Sequence, residues 1–262
     1  IVRDIQPREA LQITRDGITQ VTTPGCKKQI CSFLWVYYGY PSSYYEGINV
    51  EDARYRCGAA IAEKDDVKVD YVAGIPDSGV GHAIGYSNAR CLPYKRPFVK
   101  YTPTWPRSFM PQNQAMRDLV AKMKLLPNEA FTRDARILFL DDSIVRGTTS
   151  DRIVRMLREA GATEVHVRIS SPPFLWPCYF GTDIPAREQL IAYNRTIEDI
   201  RQIIGADSLG YLGIDRLHEM VEGLPICMGC FTGKYPMEPP KDDIRGEYFD
   251  KEIDLERKML NR

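Results

Sequence analysis

The feature that most constrains the fold is the stretch "RILFL" at residues 136–140, in which residues 137–140 form an unbroken apolar run. Such a run is typical of a strand covered on both faces, as in a parallel sheet. The next segment, "SDRIVRMLREAGA", has apolar residues at helical spacing and stops at Gly161, a residue suited to end a helix. "EVHVRI" (164–169) then alternates as a strand. This β-α-β order predicts an α/β chain with a mostly parallel sheet and helices on both faces.

The same alternation extends along the chain, and it predicts three parts. "VDYVAGI" (69–75) and "FVKY" (98–101) are strand-like, while "VGHAIGYSNARC" (80–91) and "QAMRDLVAKMKLL" (114–126) predict helices. Thr196 and Asp199 match a capping box before a helix that ends at Gly205. Residues 1–24 contain a hairpin signal at Asp16-Gly17 and form an N-terminal extension. Residues 25–235 form the main domain, and the charged residues 236–262 form a peripheral tail.

The composition excludes several classes of protein. Lys plus Arg and Asp plus Glu both number 35 in 262 residues, so net charge attracts neither nucleic acid nor a membrane surface. No apolar run approaches the roughly 20 residues of a transmembrane helix, and no signal segment opens the chain. We therefore expect a cytoplasmic protein with no nucleic-acid or membrane partner. Because the sequence begins at Ile1 rather than Met, we also expect that a segment precedes it.

An acid pair follows the apolar strand directly. Asp141 and Asp142 fall at its carboxyl end, where open parallel sheets bind ligands. Residues 143–149, "SIVRGTT", then lead into a helix N-terminus, whose free N–H groups favour an anion such as phosphate. The carboxylates repel phosphate, so they must face hydroxyl groups or a divalent cation. A phosphorylated sugar with Mg²⁺ satisfies both halves; the alternative is that the acids merely cap the next helix.

The stretch "ILFLDDSIVRGTTS" resembles the phosphoribosyl pyrophosphate (PRPP) signature of type I phosphoribosyltransferases, and "DDSIVRGTT" resembles the version in the glutamine PRPP amidotransferase family. Four more stretches fit that family: "GIPDSGVGHAIGY", "PRSFMPQNQAMR", "REAGATEVHVRISSPP" and "CMGCFTGKYP". The resemblance implies the type I fold and transfer of phosphoribosyl from PRPP to ammonia, the first committed step of purine biosynthesis. It also implies a homo-oligomer and a glutaminase domain or subunit, since the opening "IVRDIQPREALQITRDG" resembles the junction that follows that domain.

The resemblance assigns roles to individual residues. Asp141 and Asp142 hold the ribose hydroxyls and Mg²⁺, and Asp77, Ser78 and Gly79 form the pyrophosphate loop, with Ser78 joining the metal site. The 5′-phosphate is held by the loop that comprises Ser143, Ile144, Val145, Arg146, Gly147, Thr148 and Thr149. From residues alone, "PDSG" is equally a plain β-turn. No general base is assigned, because the reaction needs positioning and electrostatics rather than covalent work by the protein.

A closing loop is a further expectation from the resemblance. The proline-rich segment after residue 98 offers cations for the departing pyrophosphate, namely Lys100, Arg107, Arg117, Lys122 and Lys124. The alternative is a surface loop with scattered charges.

The seven cysteines are an odd number and do not indicate a disulfide scaffold in a chain of this size. The Cys227-x-x-Cys230 pair alone fits either a metal site or ordinary thiols. The resemblance adds Cys31 and Cys178 and implies a structural [4Fe-4S] cluster, although zinc would accept the same four ligands. The remaining cysteines, Cys26, Cys57 and Cys91, are expected to be plain thiols. The sequence departs from the family at Leu34, Tyr40 and Ser42, where Glu, Arg and Asp are usual.

Two other functions remain open from the sequence. One is a phosphoribosyltransferase for another nucleophile, such as a nucleobase. The other is a PRPP-sensing module without turnover, although a basic DNA-binding helix, which such regulators usually carry, is absent from the sequence.

Overall fold

A four-stranded parallel sheet forms the centre of the structure, a computed structural model that describes residues 5–25, 28–100, 125–182, 184 and 186–238. In spatial order its strands are β11 (Ser208–Tyr211), β10 (Glu164–Ile169), β9 (Arg136–Asp141) and β6 (Tyr71–Gly74). Val167 of β10 lies opposite Phe139 of β9, and Ala73 of β6 lies on the other side of Phe139. The apolar run is therefore a central strand with neighbours on both edges.

Helices cover both faces of this sheet, so the predicted α/β architecture is confirmed. On one face, α1 (Val50–Ala62) and α2 (Val80–Arg90) pack on the strands. On the other face lie α4 (Thr148–Glu159) and α5 (Ile197–Ile204). Side chains of β9 alternate between the two cores: Ile137 and Phe139 face α4, whereas Leu138 and Leu140 face α2. All four are fully buried, which explains why the strand has no polar face.

The ends of the helices follow local sequence signals. Gly147 precedes α4 with φ of +83°, a left-handed conformation that glycine adopts without strain. At α5, Thr196 and Asp199 form the predicted capping box, and Gly205 ends the helix at φ of +71°. The predicted helix and strand boundaries around the acid pair are thus confirmed to within a few residues.

Short elements complete the structure. The strand pairs are β1 (Leu11–Thr14) with β2 (Gly17–Gln20), β3 (Ile30–Cys31) with β12 (Ile226–Cys227), β4 (Tyr44–Tyr45) with β5 (Ile48–Asn49), and β7 (Phe98–Lys100) with β8 (Leu125–Pro127). The short helices are a π-helix (Leu34–Tyr38), α3 (Glu129–Thr132), a 3₁₀ helix (Arg187–Gln189), α6 (Arg216–Met220) and α7 (Gly229–Thr232). The β1–β2 hairpin is confirmed, while the division of the chain into three parts stays a prediction.

One predicted helix is wrong where it can be compared. The segment 114–126 was expected to be helical, but Leu125 and Leu126 belong to strand β8, and residues 114–124 lie outside the described residues. Leu126 pairs antiparallel with Val99 of β7, and this long-range pairing outweighs the helical spacing of the local sequence. The predicted strand at 98–101 is confirmed as β7, but its partner is β8 rather than a strand of the central sheet.

A second apolar core lies beside the sheet and joins the two ends of the described chain. It packs the π-helix against α1, α6 and α7, with Trp35, Phe174 and Phe231 among its buried side chains. Phe33 and Phe174 make an edge-to-face contact, with their ring centroids 5.4 Å apart. Among the described residues, the helices are too short or too polar to span a bilayer.

Candidate active site

The acid pair lies at the carboxyl end of the central strand. Asp141 is the last residue of β9 and Asp142 follows it, and each is only 6% exposed. The Ser78 hydroxyl donates to Asp141 at 3.4 Å, and the Ser143 hydroxyl donates to Asp142. Among the described residues, neither carboxylate has a Lys, Arg or His partner within 4.0 Å. Two adjacent carboxylates are therefore buried with no direct ion pair in the part of the chain that the structure describes, although Arg54 interacts with Asp142 at longer range.

This arrangement makes ionisation of the pair costly. Burial raises the pKa of Asp141 well above its ordinary value, and the neighbouring carboxylate of Asp142 raises it further. Burial also raises the pKa of Asp142. A divalent cation between the carboxylates would offset both effects, because oxygen ligands and concentrated negative charge are what Mg²⁺ requires. The donor set of the pair therefore fits Mg²⁺.

The loop after the acids forms one wall of a cleft of about 400 Å³. Its lining from the acid pair onwards is Asp141, Asp142, Ser143, Ile144, Val145, Arg146, Gly147, Thr148, Thr149 and Ser150. Gly147 precedes α4, a helix of 12 residues whose first N–H groups lie at this cleft. A Cβ on Gly147 would lie 2.3 Å from Cδ1 of Ile191, and the φ of +83° would strain any residue that carries one, so glycine is favoured there. The cleft thus joins a helix N-terminus, which attracts anions, to the acid pair.

The predicted pyrophosphate loop contributes unequally to this cleft. Ser78 lines it, but Asp77 and Gly79 do not. The Asp77 side chain is 81% exposed, and its carboxylate forms an ion pair with the Lys100 ammonium group at 2.8 Å. Gly79 packs on the sheet instead, since a Cβ there would lie 2.2 Å from the Leu140 carbonyl oxygen. The other loop candidates, Arg107, Arg117, Lys122 and Lys124, lie outside the described residues.

A second wall of the cleft was missed by sequence reasoning. Phe33, Tyr37 and Tyr38, which we call the aromatic wall, line it together with Ile75, Thr182 and Ile184. The three rings contact one another, with centroids 5.2 to 5.6 Å apart. Tyr37 and Tyr38 remain 46% and 49% exposed. The run of aromatics in "FLWVYY" was the only available signal, and by itself it equally indicates a buried core segment.

Three of the four candidate cluster cysteines lie where short elements meet. Cys31 on β3 lies opposite Cys227 on β12, and Cys230 lies in α7. Burial raises the pKa of Cys230, and the thiols of Cys31, Cys178 and Cys227 raise it further, so the four are neighbours. Nevertheless, no group of three or more Cys, His, Asp or Glu converges on a metal-binding geometry in the described part of the chain.

The other described cysteines are ordinary thiols. Cys57 is buried on α1 with its sulfur 3.0 Å from that of Met220, and Cys91 is exposed at the end of α2. Both are free, as expected, and Cys26 lies outside the described residues.

A parallel sheet with an acid pair, a glycine-containing loop and a helix N-terminus at the carboxyl end of one strand defines a type I phosphoribosyltransferase fold. No family model matches the sequence. The amidophosphoribosyltransferase of Bacillus subtilis (strain 168) is 41% identical over 250 residues, which are 93% of this chain and 52% of that protein. That of Archaeoglobus fulgidus is 40% identical over 92% of this chain and 54% of its own length.

A solved structure gives the same result. Glutamine PRPP amidotransferase from B. subtilis, in complex with ADP and GMP, superposes with a TM-score of 0.82 at 40% identity. The match covers 94% of this chain and 56% of that one. The chain is thus a homologue of the amidophosphoribosyltransferases, and it spans about half the length of the relatives it matches.

Proposed function

We propose that this chain transfers the 5-phosphoribosyl group of PRPP to ammonia, giving 5-phosphoribosylamine and pyrophosphate in the first committed step of purine biosynthesis. The observation that carries the proposal is the cleft that a buried acid pair and a helix N-terminus line together. A ligand there must present both hydroxyl groups and a phosphate. The similarity to amidophosphoribosyltransferases supports PRPP as that ligand and ammonia as its acceptor.

In this proposal each part of the cleft binds one part of PRPP. The N–H groups and hydroxyls of residues 143–149 hold the 5′-phosphate, and Asp141 and Asp142 accept hydrogen bonds from the ribose hydroxyls. Ser78, which lines the cleft, binds the pyrophosphate. Mg²⁺, which the acid pair would hold with Ser78, supplies positive charge to the departing pyrophosphate. Lys100, held beside Asp77, adds a cation at the same side.

The reaction is a displacement at C1 of ribose. Pyrophosphate leaves as positive charge develops on the sugar, and ammonia attacks the opposite face. The buried carboxylates stabilise that charge, and the aromatic wall restricts the access of water, which would otherwise hydrolyse the sugar. Ammonia carries its own lone pair, so the chain needs no nucleophile of its own. In the complete system ammonia derives from glutamine through a glutaminase domain or subunit, and a cytoplasmic homo-oligomer stays part of the prediction.

The test is pyrophosphate release from PRPP with Mg²⁺ and either ammonium, adenine or orotate. We expect release with ammonium, and a loss of at least about 100-fold in the Asp141→Asn/Asp142→Asn double variant. The control is Asp70→Asn, which removes an exposed acid paired with Arg136 at the opposite end of the same sheet. Release with a nucleobase alone would support a different phosphoribosyltransferase, and PRPP binding without any release would support a sensor. A double variant that retains the wild-type rate would refute the role of the acid pair.

We further propose that Cys31, Cys178, Cys227 and Cys230 hold a structural metal group, either a [4Fe-4S] cluster or zinc. The proximity of the four thiols supports this, while their present positions would have to close in to bind one centre. Protein purified without oxygen should contain iron and a visible charge-transfer absorbance, or one zinc per chain. The metal, and the absorbance if the metal is iron, should be lost in the Cys227→Ser/Cys230→Ser double variant. They should be kept in Cys91→Ser, which removes an exposed thiol. Metal-free wild-type protein with full stability would contradict the proposal.

A further inference from the structure

Helices α1 and α2 approach so closely that only glycine fits at their contact. A Cβ on Gly58 of α1 would lie 1.9 Å from the His82 carbonyl oxygen, and one on Gly85 of α2 would lie 2.1 Å from that of Tyr55. The two helices therefore contact backbone to backbone. This contact brings two polar side chains, Arg54 of α1 and His82 of α2, under the same segment of chain.

That segment is the π-helix, which carries Tyr37 and Tyr38 of the aromatic wall. Arg54 is 3% exposed, and its guanidinium donates to the carbonyls of Trp35 at 3.0 Å and of Tyr37 and Gly39 at 2.9 Å. His82 is fully buried, and its Nε2 lies 3.1 Å from the carbonyl oxygen of Val36. Four carbonyls within five residues are thus bound by donors from two other helices.

The protonation of His82 fixes its role as a donor. Burial lowers the pKa of His82 to about 3, so the ring is neutral and carries one N–H. Since a carbonyl oxygen can only accept, that proton lies on Nε2. Burial also lowers the pKa of Arg54, but a guanidinium stays charged in proteins. Among the described residues, Arg54 has no carboxylate within 4.0 Å, so its hydrogen bonds are directed to backbone carbonyls.

These donors connect the two sides of the cleft. Tyr37 and Tyr38 of the π-helix line one side, and α2 begins at Val80, two residues after Ser78 on the other side. His82 lies in the first turn of that helix. His82 therefore links the helix that follows Ser78 directly to the Val36 carbonyl, next to Tyr37 and Tyr38 of the aromatic wall.

We propose that His82 and Arg54 are positioning residues for the transfer reaction, which hold the aromatic wall against the acid pair so that water is excluded from the ribose. The inference rests on the proposed function. It assigns catalytic importance to residues that touch neither PRPP nor the metal. It also explains why two polar side chains are buried at a helix contact that apolar residues could fill.

The test compares three variants of the full chain. His82→Leu removes the donor at similar volume, His82→Gln restores an N–H at a similar distance from the backbone, and Tyr86→Phe removes a different buried hydrogen bond of α2, the one to Asp65. We expect His82→Leu to lower kcat with ammonia between about 10- and 100-fold. The apparent KM for PRPP should change less than about threefold, because the acids and the phosphate loop are intact. The fraction of PRPP lost to water should rise.

His82→Gln should recover most of kcat and most of the wild-type ratio of ammonia product to hydrolysis product. Tyr86→Phe should leave kcat and this ratio at wild-type values, even if its melting temperature falls as far as that of His82→Leu. Hydrogen exchange of residues 34–39 should accelerate only in His82→Leu. If His82→Leu behaves like Tyr86→Phe, or if His82→Gln fails as His82→Leu does, the inference is wrong. A wild-type chain that is inactive with ammonia would instead overturn the proposed function, and the positioning role with it.

Discussion

At Gly58, replacement by alanine should destabilise the protein, although helix propensity alone would predict that it stabilises the helix. Replacing glycine by alanine inside an exposed helix normally stabilises it by about 1 kcal/mol. At Gly58, however, the new Cβ would lie 1.9 Å from the His82 carbonyl oxygen and 2.7 Å from the Tyr86 nitrogen. Both are backbone atoms of α2, so no side chain can rotate away. Because such atoms need about 3.5 Å, the two helices would have to separate by about 1.5 Å.

The magnitude follows from these two opposing effects. Overpacking of this kind costs about 1–3 kcal/mol or more, and the gain in propensity offsets about 1 kcal/mol of it. Because the contact is with rigid backbone atoms, we take the upper part of that range, about 3 kcal/mol, so Gly58→Ala should lose about 2 kcal/mol in the free energy of unfolding. This loss lowers the melting temperature by about 4–8 °C in a chain of this size. Differential scanning calorimetry measures both. The control is Ala59→Gly on the same helix, which loses about 1 kcal/mol through propensity alone. A Gly58→Ala protein as stable as wild type would show that the helices are not in backbone contact.

Two further predictions concern the cleft. Gly147→Ala should weaken PRPP binding at least about tenfold by calorimetry, because the positive φ and the contact of its Cβ both displace the phosphate loop. Gly223→Ala, at φ of +79° with free space around it, is the control for backbone strain alone. Asp141 has a raised pKa through burial and the charge of Asp142, so its folded form keeps a proton that the unfolded chain has lost. Its contribution to stability is therefore full below about pH 4 and lost as pH rises through the folded pKa. Without divalent cations, Asp141→Asn should raise the melting temperature at pH 8 and converge with wild type near pH 3; a difference that grows towards acid would contradict the assignment.

Local patterns explain why the sheet and the acid pair were predictable. The apolar run at 137–140 has no polar face because both faces of β9 are covered, and Gly147 marks the start of α4 by its backbone conformation. Each signal lies within a few residues of the element it determines. The same is true of the capping box at Thr196.

The aromatic wall was not predictable, because its conformation depends on contacts distant in sequence. The carbonyls of the π-helix are bound by Arg54 and by His82, 15 to 46 positions away from them. The ion pair between Lys100 and Asp77 likewise joins residues 23 positions apart. In the same way, a strand contact with Val99 determines β8, where the local sequence favours a helix. The Cys-x-x-Cys pair was visible, but only the pairing of β3 with β12 brings Cys31 to it.

The central position of β9 has a consequence for motion within the cleft. Its carbonyls at Leu140 and Asp141 accept hydrogen bonds from Ile75 on one side and Ser170 on the other, so its backbone opens only when the whole sheet unfolds. Residues 143–149 lie beyond the last sheet hydrogen bond, and their position depends on another segment, because the Ile191 N–H donates to the Val145 carbonyl at 2.8 Å. A ligand held at both places is therefore anchored at a central strand at one end, while its phosphate lies on a segment held by Ile191 rather than by the sheet. Nine consecutive residues, 141–149, thus join the end of a central strand to a helix N-terminus that is held by a different part of the chain.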